Sequence, residues 1–210
     1  MRGRFITFEG IDGSGKSTVA KKVFKRLEKD SIDAILTREP TQTWLGDAVR
    51  RSTALDGSPF TDLFLFMADR AEHTGAINGW LSEGKTVICD RYWDSTLAYQ
   101  GVTLQPFLDE DAIGWLMDIH RNIVTRPDIT FLLKIDPEES LRRISKRGKK
   151  VKFERLEFLR KVEDNYLKIA NTSKRYVVVD ARLPVDDVTA RILAHMRKPR
   201  MSQKRGHAKF

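Results

Sequence analysis

The chain of 210 residues holds one cysteine, Cys89. A disulfide framework within the chain is therefore excluded, and the composition points to a reducing, cytoplasmic setting. Cys89 lies inside the apolar run KTVICD (85–90), so it reads as a buried packing thiol. Long hydrophobic runs are missing as well: no segment approaches the ~20 apolar residues that a bilayer-spanning helix needs. The start runs directly into RFITFEG without a charged-then-apolar leader, so no secretory segment is expected. Internal repeats and low-complexity stretches are absent outside the C-terminal tail. With 40% hydrophobic residues, the chain suffices for one α/β domain with a core and is short for two.

The formal charge is +9, which invites a nucleic-acid reading. Its location weakens that reading. The tail RKPRMSQKRGHAKF (197–210) carries six Lys/Arg and no acid, and the rest of the chain has 32 basic against 29 acidic residues. The excess is thus mostly a tail whose composition reads as disordered, available for weak contact with RNA or acidic surfaces.

Hydrophobic periodicity alternates strands with helices. RFITFE, DAILTR, KTVICD, DITFLLKI and RYVVVD read as five strands. Helices are expected at 16–29 (Val19, Val23 and Leu27 on one stripe), in TWLGDAVRRS, from Pro59 to about Ser82, at 109–124, from Asp136 as N-cap through DPEESLRRIS, at 154–171, and in PVDDVTARILAHM. The alternation predicts a three-layer α/β/α arrangement around a five-stranded parallel sheet, with ligands at the carboxyl ends of the strands. The loops to inspect are 9–16, 38–44, 90–100 and 135–153.

The first of these is FEGIDGSGKST (8–18). Gly10 to Ser17 reads G-x-x-x-x-G-K-S between a strand and a helix, the context a phosphate cradle requires. The glycines (Gly10, Gly13, Gly15) let backbone N–H groups of Ile11, Asp12, Ser14 and their neighbours turn toward an anion, and the helix N-terminus, with Ser17 and Thr18, adds its positive end. Lys16 reaches β and γ phosphates, and the Ser17 hydroxyl suits Mg²⁺. The chain therefore binds a nucleoside triphosphate. Motors, GTPases and small-molecule kinases share this loop, so the cradle names no reaction. Asp12 and Glu9 narrow the choice. A carboxylate among donor phosphates repels them, so Asp12 makes sense facing a second substrate, or holding a water on Mg²⁺.

FEGIDGSGKST, TREP, LFMADRAEH and DRYWDSTLAYQG occur in this order at suitable intervals. Together they resemble the thymidylate kinases over about residues 4–196. The resemblance implies a P-loop kinase fold with a short mobile lid, a single domain over 1–196, ATP as donor, Mg²⁺, dTMP as acceptor in dTTP biosynthesis, and a homodimer. It also assigns roles. Phe66 and Arg70, at i and i+4 on one helix face, would stack on thymine and donate to its carbonyl oxygen. Asp90 would take a Mg²⁺-bound water, and Arg91 would bridge acceptor phosphate and transferring group. Thr96, Tyr99 and Gln100, placed on the turn after the strand, would contact the nucleotide, with Tyr99 crowding out a 2′-hydroxyl and Asp12 facing the 3′ side. Arg38, Glu39, Pro40 and Arg50 would line the acceptor side, Arg50 meeting its phosphate. Glu9 would support the pocket from the strand end.

Some members of that family place an arginine beside the loop aspartate; here the position is Gly13. The cation must then come from a lid, and RRISKRGKKVKFER (142–155) supplies eight Lys/Arg against one Glu. Arg147 is the expected transition-state cation and Arg143 the expected ATP contact. The stretch departs from the usual lid in being lysine-rich. The competing readings are a kinase of another nucleoside monophosphate or deoxynucleoside, and an RNA-binding protein switched by ATP.

Overall fold

The computed structural model describes residues 2–55, 57–145 and 153–197. These form a five-stranded, all-parallel sheet in the order β2-β3-β1-β4-β5. The strands are β1 (Phe5–Glu9), β2 (Ala34–Arg38), β3 (Thr86–Asp90), β4 (Ile129–Lys134) and β5 (Tyr176–Asp180). Between and after them lie α1 (Lys16–Lys29), α2 (Trp44–Ala54), α3 (Pro59–Ser82), α4 (Trp93–Leu104), α5 (Ala112–His120), α6 (Pro137–Ser145), α7 (Phe153–Ala170) and α8 (Val185–Met196). The chain first builds outward from β1 to β2 and β3, then crosses to β4 and β5. The reversal of direction falls at β1, and a sheet of this kind opens a crevice at such a point.

Alternation along β1 sorts the layers. Phe8 packs on Phe131, their ring centroids 5.6 Å apart, and Phe131 meets His195 of α8. Phe5 instead stands edge-on to Tyr92 at 5.0 Å, and Glu9 bonds to Tyr92, Ser95 and Tyr166 of the α4 and α7 side. One face is therefore covered by α1 and α8, the other by α3, α4 and α7. Helix α1 buries the stripe Val19, Ala20, Val23 and Leu27, each large aliphatic contributing about 1.5–3 kcal/mol. Local signals set the boundaries. Pro59 opens α3 at its first turn, Asp111 caps α5 by accepting from Gly114 N at 2.8 Å, and Asp136 Oδ1 accepts from Glu138 N at 2.9 Å at the start of α6. Cys89 is buried, as its apolar run implied.

Two expectations need correction. Thr96, Tyr99 and Gln100 do not sit on a turn; they belong to α4. That helix buries Trp93, Asp94, Thr96, Leu97, Ala98, Gly101 and Leu104 against α3, α5 and α7. A helix covered on most sides shows no single apolar stripe, so its period is invisible. Asp94 is fully buried yet paired, with Arg175 at 2.6 and 3.1 Å and the Tyr176 hydroxyl at 2.8 Å. The helix expected over 109–124 is shorter, running from Ala112 to His120, whereas the basic stretch 142–155 begins in α6 and ends in α7, as the helices expected through 145 and from 154 imply. Arg147 and the tail after Arg197 lie outside the described residues.

Candidate active site

The loop after β1 turns on left-handed glycines: Gly10 at φ 136°, Gly13 at φ 83° and Gly15 at φ 92°. Gly13 is the tightest case. A Cβ there would approach Ser140 O of α6 to 2.7 Å, so α6 lies directly on the loop. The Ser140 hydroxyl also donates to Asp12 O.

Lys16 is 5% exposed, and its Nζ donates to Gly10 O and Ile11 O, both at 2.8 Å. Burial, reinforced by the nearby Arg91 charge, pulls its ammonium down to about 7. The Ser17 hydroxyl donates to Asp90 Oδ2 at the carboxyl end of β3. Asp90 Oδ1 is buried and, among the described residues, has no hydrogen-bond partner. Asp12, Gly13, Gly15, Lys16, Ser17, Thr18, Arg38, Asp90 and Arg91 together line a cavity of about 190 Å³. Gly10, Ile11 and Ser14 form the buried floor of the loop rather than its lining.

Arg91 leaves the sheet with φ 69°, a conformation that costs a non-glycine residue roughly 1–2 kcal/mol. It puts the guanidinium across the loop. Nη2 donates to Asp12 Oδ1 at 2.5 Å, Nη1 to Ser95 Oγ at 3.2 Å, and Cζ lies 5.3 Å from the centre of the Tyr99 ring. Arg155, at the start of α7, donates to the other Asp12 oxygen at 3.4 Å. The Tyr99 hydroxyl accepts from Asp12 N at 3.1 Å. Asp12 thus turns toward two arginines on the α4 and α7 side. Glu9 is fully buried beneath them and accepts from Tyr92 N, Ser95 Oγ and Tyr166 Oη at 2.7–3.0 Å. Burial, with Asp94 nearby, pushes its carboxyl up to about 7.

Other expected residues do not line this cavity. Arg70 is 1% exposed and bonded to Glu39, and neither side chain lines this cavity. Phe66 is half-buried one turn before Arg70, and Pro40 and Gln100 are half-buried too. Arg50 turns to Thr41 O at 2.7 Å and Asp47 at 2.6 Å, because these acceptors lie on its own helix and the loop before it. Arg143 bonds Glu139 and the carbonyl of Ala181, after β5, at 3.0 Å. Sequence reasoning overlooked Arg155, Ser95, Tyr166 and Ser140. Arg155 was legible only as the last cation of the basic run, where helix α7 fixes its backbone.

Residues 8–192 match the family model described as thymidylate kinase. The chain belongs to the thymidylate kinase family. It is 48% identical over 191 residues to a probable thymidylate kinase of Methanosarcina acetivorans, covering 90% of this chain and 92% of that protein. It is 50% identical to one of Methanosarcina barkeri, covering 86% and 89%, and 42% identical to one of Pyrococcus horikoshii, covering 92% and 96%. Phosphoryl transfer from ATP to dTMP is the activity of this thymidylate kinase family. No described helix is long and apolar enough to cross a membrane.

Proposed function

We propose that this chain transfers the γ-phosphoryl group of ATP to dTMP, giving ADP and dTDP, by in-line displacement without a covalent intermediate. The observation that carries the reading is the two-sided cavity. Lys16, Ser17 and Asp90 stand on the donor side, while Arg91 and Arg155 flank Asp12 on the other. An oxygen of the acceptor phosphate forms the new bond to the γ phosphorus as the bond to the ADP oxygen breaks. The acceptor phosphate is its own nucleophile, so the protein's task is to position and to neutralise charge. Loop N–H groups and Lys16 hold the β and γ phosphates, and Arg91 bridges the two anions with a planar fork.

Magnesium fits the residues present. Among the described residues, Asp90 keeps one buried, unbonded carboxylate oxygen next to the Ser17 hydroxyl, a hard oxygen pair of the kind Mg²⁺ or its bound water takes. When bound, the ion would offset charge between the donor phosphates. Arg155, which reaches Asp12 at 3.4 Å, would supply the transition-state cation, and Arg147 is a second source in the same basic stretch. Arg143, beside the loop after β5, suits the ATP base. On the acceptor side, beyond the loop cavity, Phe66, Tyr99 and Gln100 would form the nucleotide wall, with the buried Arg70 and Thr96 meeting the base at its inner edge. Tyr99 stands beside Asp12 and Arg91, so its ring suits the place that excludes a 2′-hydroxyl. Arg38 and Pro40 would border the acceptor phosphate, Arg50 would meet it on releasing Thr41 and Asp47, and Glu39 lies behind them as the counterion of Arg70. The one buried cysteine supports a cytoplasmic setting. A homodimer would use the α2–α3 face, where Trp44 and Phe64 are exposed.

The test is ADP release from ATP and Mg²⁺ against dTMP, dUMP, dCMP, UMP, AMP and thymidine. Fast turnover confined mainly to dTMP is expected. Tight ATP binding with no turnover on any acceptor would overturn the reading.

A further inference from the structure

Arg70 sits in a polar cluster that phosphoryl transfer itself does not use. Its guanidinium has five N–H groups, and the protein engages all of them. Nε and Nη2 donate to Glu39 Oε2 at 2.9 and 2.6 Å, and Nη2 also meets Tyr92 O at 3.5 Å. Nη1 donates to Thr96 Oγ1 at 2.9 Å and to His120 Nε2 at 3.0 Å. His120, at the end of α5, is fully buried. Its Nδ1 lies 2.7 Å from Leu116 O, which can only accept. The proton is therefore on Nδ1, and Nε2 carries the lone pair that Arg70 needs. Burial, with the Arg70 charge beside it, pushes the imidazole down to about 4, so it stays neutral.

The remaining partners are as fixed. Glu39 Oε1 accepts from His73 Nδ1 at 3.0 Å, and His73 Nε2 meets Thr37 Oγ1 of β2 at 2.8 Å. Glu39 therefore holds one edge of the guanidinium as a buried ion pair. His120 holds one of the two Nη1 protons. Only the contact with Thr96 is made to a neutral hydroxyl, and Thr96 lies on α4, the helix of Tyr99 and Gln100. A hydroxyl rotates or yields to a carbonyl oxygen at little cost; an ion pair does not.

We infer that His120 is a positioning residue for recognition of the acceptor base: it locks Arg70 so that the Nη1 proton shared with Thr96 is the one offered to a base carbonyl. This rests on the reading above that Arg70 faces the base. The competing role is that of a core histidine satisfied by its own helix, with no effect on the acceptor.

Two variants separate these roles. His120→Asn keeps a side-chain amide near Nδ1 for Leu116 O but offers Arg70 no acceptor. His120→Gln carries a carbonyl oxygen to the place of Nε2. KM and kcat are measured for dTMP, for dCMP (an amine where dTMP has a carbonyl) and for ATP. His120→Asn is expected to raise KM for dTMP about tenfold, change kcat less than twofold, leave KM for ATP unmoved and narrow the preference for dTMP over dCMP. His120→Gln is expected to restore KM for dTMP to within about threefold of wild type. Equal effects of both variants, parallel rises in KM for dTMP and ATP, or no change in either would overturn the proposal. Wild-type enzyme that uses dTMP and dCMP equally would overturn the base reading itself, whatever the variants do.

Discussion

Replacing Gly13 by alanine tests the contact between the phosphate loop and α6. Two costs follow from the geometry. At φ 83° an L-residue sits in the left-handed region, which costs roughly 1–2 kcal/mol. The added Cβ also comes within 2.7 Å of Ser140 O, 3.1 Å of its hydroxyl and 3.2 Å of Ile144 Cγ1. Ser140 O is backbone of a packed helix, so α6 has to shift, and overpacking of this kind costs about 1–3 kcal/mol. The sum is about 2–5 kcal/mol. In a chain of this size each kcal/mol lowers Tm by roughly 2–4 °C, so Gly13→Ala should melt about 5–20 °C below wild type in a thermal scan without ligand. Because α6 must move off the loop, KM for ATP should rise as well. A Tm within about 2 °C of wild type would refute the reasoning. The same crowding means that Gly13→Arg, which imitates the family members with an arginine here, should not rescue Arg155→Ala.

Three further outcomes are expected. Arg155→Ala should lower kcat on the order of 10²–10³-fold with a much smaller change in KM for dTMP, while Arg143→Ala should mainly raise KM for ATP; an unchanged kcat in the first would pass the role to Arg147. Lys16, held near neutrality by burial, should regain its charge beside phosphate. ATP binding at pH 8 should therefore take up protons, read by calorimetry in buffers of different ionisation enthalpy, and zero uptake would mean the ammonium is already charged. His120 is depressed from 6.5 to about 4 in the folded protein, so the unfolded chain protonates first and stability is lost as pH falls through that window. Urea melts should show wild type losing about 3 kcal/mol relative to His120→Gln between pH 7 and pH 4; a constant difference would contradict the shift.

What could be seen in the sequence was what local chemistry dictates. Helix α1 begins at Lys16 because the glycine loop ends there, and its stripe of Val19, Val23 and Leu27 has one face to bury. Pro59 announced α3 for a similar reason. Helix α4 was not legible because neighbours cover it on most sides, and its residues then resemble any apolar stretch. At the site, the cradle could be read, since strand, loop and helix are contiguous. The pairing of Arg70 could not. Its partners Glu39 and His120 lie 31 and 50 residues away, whereas helical spacing reveals only neighbours such as Phe66. Arg155 was hidden in a run of eight cations, and only the meeting of α7 with the loop singles it out.

On the proposed reading, the position of Asp12 between Arg91 and Arg155 would make binding of the acceptor phosphate a trade of anions. Both guanidiniums already hold an internal carboxylate, so an arriving phosphate must outcompete Asp12. The selection then falls on charge and shape: a dianion with several oxygens matches two forks better than one carboxylate does. After transfer the same carboxylate is at hand to reclaim its arginines, so the chain carries a tethered competitor against its own product.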